Sequence, residues 1–174
     1  MAVIGAILAA LAAAMFWVWR ARAAASAASE LLDVADDLRA AVRRFGYRRT
    51  KGRNPLDSIE DPRLAAAGIW AAIARMDGEA TRAQIEAITN EARAEFRVDA
   101  SEGGDIASYG RWLVTQSGNP EEVIRRLTSR LSGVLTSDEA KGFIAAAERV
   151  ASVEGSVGER QSRAIAGLQR VLLM

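Results

Sequence analysis

The stretch ARMDGEATRAQIEAI, Ala74 to Ile88, returns in altered form as ASVEGSVGERQSRAI, Ala151 to Ile165. Each reads as the end of one helix, an acidic residue followed by glycine, and the start of another helix. Glycine suits that position because a helix end demands left-handed backbone. Thr81 and Gln84 have the spacing of a capping box, in which the Thr oxygen accepts from the backbone at Gln84 and the Gln side chain reaches back. Set in register 77 residues apart, Ile73 falls on Val150, Ala74 on Ala151, Met76 on Val153, Asp77 on Glu154, Gly78 on Gly155, Gln84 on Gln161, Ala87 on Ala164 and Ile88 on Ile165. The spacing predicts a duplicated helix–turn–helix hairpin, the two copies packing as an approximately symmetric pair with each covering the other's apolar side.

The remaining helices announce themselves by their caps. Asp61 followed by Pro62 supplies an N-cap and a proline at the first helical position, opening RLAAAGIWAAIARM with Leu64, Ile69, Trp70, Ile73 and Met76 for the core. The helix begun at Thr81 continues to about Phe96, and another lies near Asp105 to Gln116. In NPEE, Asn119 caps, Pro120 takes the first position, and Glu121 and Glu122 offset the positive end of the helix dipole. Thr136 and Glu139 form a second capping box, for a helix reaching Val153. The last helix carries Ile165, Leu168 and Val171 and ends near Leu172. No segment alternates β-branched and polar residues, so the expected fold class is all-α.

Composition narrows the chemistry. The 174 residues suit one compact domain plus attachments, and half of them are hydrophobic. Alanine with abundant Arg and Glu favours helix. The chain has neither cysteine nor histidine, which removes disulfides, thiolate nucleophiles, imidazole bases and zinc sites built from Cys or His. It also lacks a G-x-S-x-G elbow, a Walker loop and a G-x-G-x-x-G run. SEGGD (Ser101 to Asp105) and EGSVG (Glu154 to Gly158) read as glycine-bearing turns beside helix starts, where capping is commoner than anion binding.

The N-terminal run MAVIGAILAALAAAMFWVW, Met1 to Trp19, holds no charged side chain. As a helix it spans roughly 28 Å, close to the ~30 Å hydrocarbon core of a bilayer. Trp17 and Trp19 fall at the membrane interface, and Arg20 and Arg22 follow on what the positive-inside rule makes the cytoplasmic side. The expectation is a single-pass anchor over residues 1–22 in an inner membrane, with a short N-terminus outside and the remaining chain cytoplasmic. A cleaved signal peptide, cut near ARAAASAAS, and a buried core helix are the weighed alternatives.

Residues 23–60 read as an amphipathic stalk helix and a basic linker. Leu31, Val34, Ala35, Leu38, Ala41, Val42 and Phe45 keep helical spacing. RRFGYRRTKGR, residues 43–53, carries six basic residues and no acidic one. Such a segment beside a bilayer is drawn to anionic lipid; a solvated linker is the alternative. Two aromatics and a short cluster make no recognised nucleic-acid motif, so no nucleic acid is expected. From Asn54 onward 14 basic residues face 18 acidic ones, net −4, so the overall charge of +1 conceals a basic collar and a mildly acidic domain over residues 61–174.

An apolar helix ending in acidic-Gly, a capped second helix, and a repeat of that unit late in the domain resemble the tellurite-resistance TerB-like fold. The same domain occurs in membrane-anchored DnaJ-type co-chaperones, which adds the N-terminal anchor to the likeness. The resemblance covers about Asp61 to Leu172. It implies a compact helical bundle acting in membrane-associated complexes during tellurite and other stress, with metal proposed at acidic positions near its turns. Those positions match Asp77 and Glu154 here, and Gln84 and Gln161 stand where the family commonly has Glu, without a charge to hold a divalent cation. With no histidine, the His-Pro-Asp motif of a J domain cannot occur.

Asp77, Glu79 and Thr81 place oxygens as a calcium loop begins, but the sixth and twelfth positions are Arg82 and Ile88, so this is not an EF-hand. The expectation is a non-enzymatic, membrane-anchored interaction module without a cofactor, its acidic turns serving as helix stops and caps. The alternative is a calcium- or magnesium-dependent sensor or enzyme accessory using Asp77, Glu79 and Glu154. Protein partners are expected but not identified by sequence.

Overall fold

Helix α1, Pro62–Ala74, is surrounded because its sequence leaves it no other choice. Every residue from Leu64 to Ala74 is buried, and a helix apolar on all sides persists in water only with neighbours on all sides. In the computed structural model, which describes residues 54–174, α1 touches each of the other helices: α2 (Arg82–Phe96), α3 (Ala100–Ser117), α4 (Pro120–Leu131), α5 (Ser137–Ser152) and α6 (Glu159–Leu172). Strands are absent among the described residues, and the domain is all-α. None of its helices is long and apolar enough to cross a membrane. The apolar run 1–19, the stalk and the basic segment 43–53 lie outside the described residues.

The small residues of α1 set how closely its covers approach. A Cβ on Gly110 of α3 would come within 2.5 Å of the Ala67 carbonyl oxygen, and one on Gly68 within 2.7 Å of Leu127 Cδ1 in α4. Trp70 supplies the bulk. Its indole is fully buried between Phe96 and Phe143, with ring centroids 5.7 and 5.6 Å away and planes 16° and 23° apart. Its Nε1–H donates to the Phe143 carbonyl at 3.2 Å, so the one polar atom of this side chain is satisfied inside the core.

The caps fall where the spacing predicts. Asp61 accepts from the Arg63 amide at 2.9 Å and Asn119 from the Glu122 amide at 3.2 Å. Thr81 with Gln84, and Thr136 with Glu139, close both bonds of their capping boxes. Gly78 and Gly155 both have positive φ, 149° and 127°, as the acidic-Gly turns require.

Three features depart from the sequence expectation. Helix α3 begins at Ala100, so SEGGD is its first turns rather than a loop. Asp99 caps it, accepting from the Glu102 amide at 2.8 Å, and Gly103 is a packing residue whose Cβ would meet Arg93 Cγ at 2.5 Å. Residues 55–58, assigned above to the linker, form a 3₁₀ turn that belongs to the domain. Leu56 and Ile59 are buried there, and Arg130 donates to the Asp57 and Ile59 carbonyls. Val171, expected on the apolar face of the last helix, is 53% exposed.

Gly110→Ala is expected to lower the unfolding free energy by about 1–3 kcal/mol, because its Cβ meets backbone that cannot give way. Gly104→Ala, whose Cβ meets nothing within 4 Å, is expected to raise it by about 0.5–1 kcal/mol through helix propensity. Urea denaturation of the two variants measures both signs.

Candidate functional site

The two acidic turns come together. Asp77, Glu79 and Thr81 from the first hairpin face Glu154, Ser156 and Gln161 from the second across a cleft of ≈ 270 Å³. The hairpins are α1–α2 and α5–α6, so the duplication seen in the sequence becomes two bends sharing one cavity.

Their side chains hold different kinds of bond. Gln84 Oε1 accepts from the Thr81 amide at 3.1 Å, completing the box that fixes the start of α2. Gln161 Oε1 accepts from the Gly158 amide at 3.1 Å, while its Nε2 donates to the Ile73 carbonyl, also at 3.1 Å and buried. That second bond ties the start of the last helix to the end of the first. A glutamate could not make it, since an ionised carboxylate only accepts.

The symmetry breaks at the caps. Thr81 of the first hairpin aligns with Gly158 of the second, which offers no side chain to cap α6. Asp77 explains the glycine: its Oδ2 lies so close to Gly158 that any Cβ there would collide with it. The carboxylate of one turn thereby occupies the space of the other turn's missing cap, near the positive end of α6.

Of the three carboxylates with metal-ligating spacing, all are exposed and all line the cleft. Glu79 is engaged by Arg75 in an i,i+4 ion pair, and Asp77 packs on Gly158. Among the described residues no group of three or more His, Cys, Asp or Glu stands placed to hold a metal ion. A hard cation draws on six or more oxygens, so as folded the donor set Asp77, Glu79 and Glu154 does not converge on one. The interface residues Trp17, Trp19, Arg20 and Arg22 lie outside the described residues.

A second concavity was not foreseen from sequence. Between α4 and α6 runs a groove of ≈ 410 Å³ with Met76, Ile124, Thr128, Gly167, Leu168 and Val171 on its floor and walls. Arg160 of α6 bonds Glu121 of α4 across one end, and this hydrogen bond holds the Glu121 carboxyl below its ordinary range. The exposed valine at position 171 was the available signal: an apolar residue at core spacing on the last helix with no later segment to cover it.

No protein-family model, curated protein or solved structure matches the chain.

Gln161→Glu is expected to lose about 1–3 kcal/mol of stability at neutral pH, the cost of setting a buried acceptor against the Ile73 carbonyl; thermal melting beside Gln84→Glu checks it. For Glu121 the folded pKa is depressed, so its bond to Arg160 contributes above the unfolded pKa and is lost as pH falls through the folded one. Carboxyl NMR should place the Glu121 midpoint below that of an ordinary glutamate, and Arg160→Ala should return it upward.

Proposed function

We propose that the chain is a non-enzymatic interaction module: a TerB-like helical bundle held to the inner face of a membrane by its apolar N-terminal helix, where it recruits or organises partner proteins. The observation that carries this reading is the apolar α4–α6 groove, left open on a domain whose acidic-Gly turns are engaged in capping and packing. An exposed apolar concavity of this size marks a binding surface more often than chance exposure does. The paired hairpins support the TerB-like assignment, and Met1–Trp19 with its Trp and Arg flank supports the anchor. A role in stress or metal-oxyanion response follows from the resemblance alone, and an anionic-lipid contact through residues 43–53 from their charge.

A second reading has one observation in its favour: both acidic turns line a single cleft. In that reading calcium or magnesium binds between Asp77 and Glu154, with Glu79 released from Arg75, and the protein is a metal-dependent sensor or accessory.

Crosslinking and affinity capture of the full chain from its own membranes, beside a chain lacking residues 1–22, tests the first reading. Specific partners should be captured with the full chain and depleted without the anchor; a full chain that fractionates away from membranes and captures nothing overturns it. Titration of the full chain with calcium or magnesium, followed by calorimetry and melting, tests the second; no heat and no shift in Tm eliminates it.

A further inference from the structure

We infer that the α4–α6 groove is the docking site for an amphipathic helix of a partner protein, one whose apolar ridge is flanked by acidic side chains. The inference deepens the interaction-module reading and rests on it.

The walls set the shape of the occupant. Helices α4 and α6 have 12 and 14 residues, about 18 and 21 Å of parallel wall, which matches three to four turns of a third helix. The floor between them is Met76, Ile124 and Leu168, all buried beneath it, and Val171 stands exposed at its edge. Gly167 opens the α6 wall, since a Cβ there would meet nothing within 4 Å. The groove is thus shallow and open along its length. An acyl chain laid in it would remain wet on one side, whereas a helix presents one apolar face to the floor and its polar face to water.

Thr128 points to a ligand independently. It is 5% exposed, lines the groove, and its hydroxyl has no hydrogen-bond partner. Two other helical threonines, Thr89 and Thr115, return their hydroxyls to the carbonyl four residues back, each at 3.1 Å. Thr128 does not, although that bond is always within reach on a helix. A buried hydroxyl without a partner is costly, and a polar side chain on the docked ridge would satisfy it.

Charge selects the flanks. Glu121, the acidic residue lining the groove, is held by Arg160. Arg125 on the rim shares Glu122 with Arg126. Arg170, adjacent to Val171 and one turn beyond Gly167, is exposed and has no ion pair among the described residues. The rim therefore carries uncompensated positive charge, complementary to acidic flanks and repulsive to a second copy of the same face.

The test uses the full-length chain in lipid nanodiscs and a fluorescent synthetic peptide of four helical turns, with leucines at i, i+3, i+4 and i+7 and glutamates beside them. A second peptide replaces every glutamate with lysine. Saturable binding of the glutamate peptide by anisotropy is expected, weaker by about tenfold or more for the lysine peptide and for Gly167→Leu, which fills the groove. Arg125→Glu combined with Arg170→Glu, two exposed positions that leave the core untouched, should reverse the peptide preference. Equal binding by wild type and Gly167→Leu, no saturable binding, or indifference to peptide charge overturns the inference. So does a crosslinked dimer of the chain that Gly167→Leu abolishes, which would make the occupant a second copy. Partners captured from membranes equally by wild type and Gly167→Leu would remove the groove and leave the interaction module standing. A wild-type chain that captures nothing removes both.

Discussion

Water cannot be left against any side of α1. Eleven successive residues, Leu64 to Ala74, are buried, and this single demand organises the domain. Five helices must be arrayed about one axis, and the alanines and Gly68 let them come near enough to exclude solvent. Trp70 is the exception in size, and it is placed where α2 and α5 each bring an aromatic ring. The paired hairpins follow from the same constraint: α1 belongs to one of them, and the other is among its covers.

Much of this was readable in the residues, for physical reasons that can be named. Helix starts were legible because capping is local: Asp61, Thr81, Asn119 and Thr136 each act on an amide two or three residues ahead. The duplication was legible because glycine at 78 and 155 answers to backbone geometry and not to distant contacts. Helix α3 was read too short because its glycines looked like a turn. Gly103 and Gly110 are instead places where another helix passes close, which no local signal reports. Residues 55–58 were taken for a linker from their prolines and acids, and two buried side chains, Leu56 and Ile59, decided otherwise.

The candidate sites divide in the same way. The sequence named the acidic turns, and folding brings them to one cleft, but it could not say that Asp77 would lean on Gly158 or that Gln161 would reach the Ile73 carbonyl 88 residues away. Those are tertiary facts. The α4–α6 groove was less legible still, because a groove is made of what is missing between two helices. Its residues, Ile124, Leu168 and Val171, keep ordinary amphipathic spacing, and nothing in a linear pattern separates a covered face from a bare one.

The bond from Gln161 to Ile73 also bears on how the chain is made. On the ribosome, the most water-averse helix of the domain emerges before all five of its covers. At about 5–20 residues per second, the stretch from α1 to the end of α6 takes on the order of 5–20 s to synthesise. Throughout that interval the Ile73 carbonyl has no amide from Gln161, and the flanks of Trp70 are bare until Phe143 arrives. Closure comes last, from the final helix, so the nascent domain is most exposed to aggregation and to holding chaperones just before its translation ends.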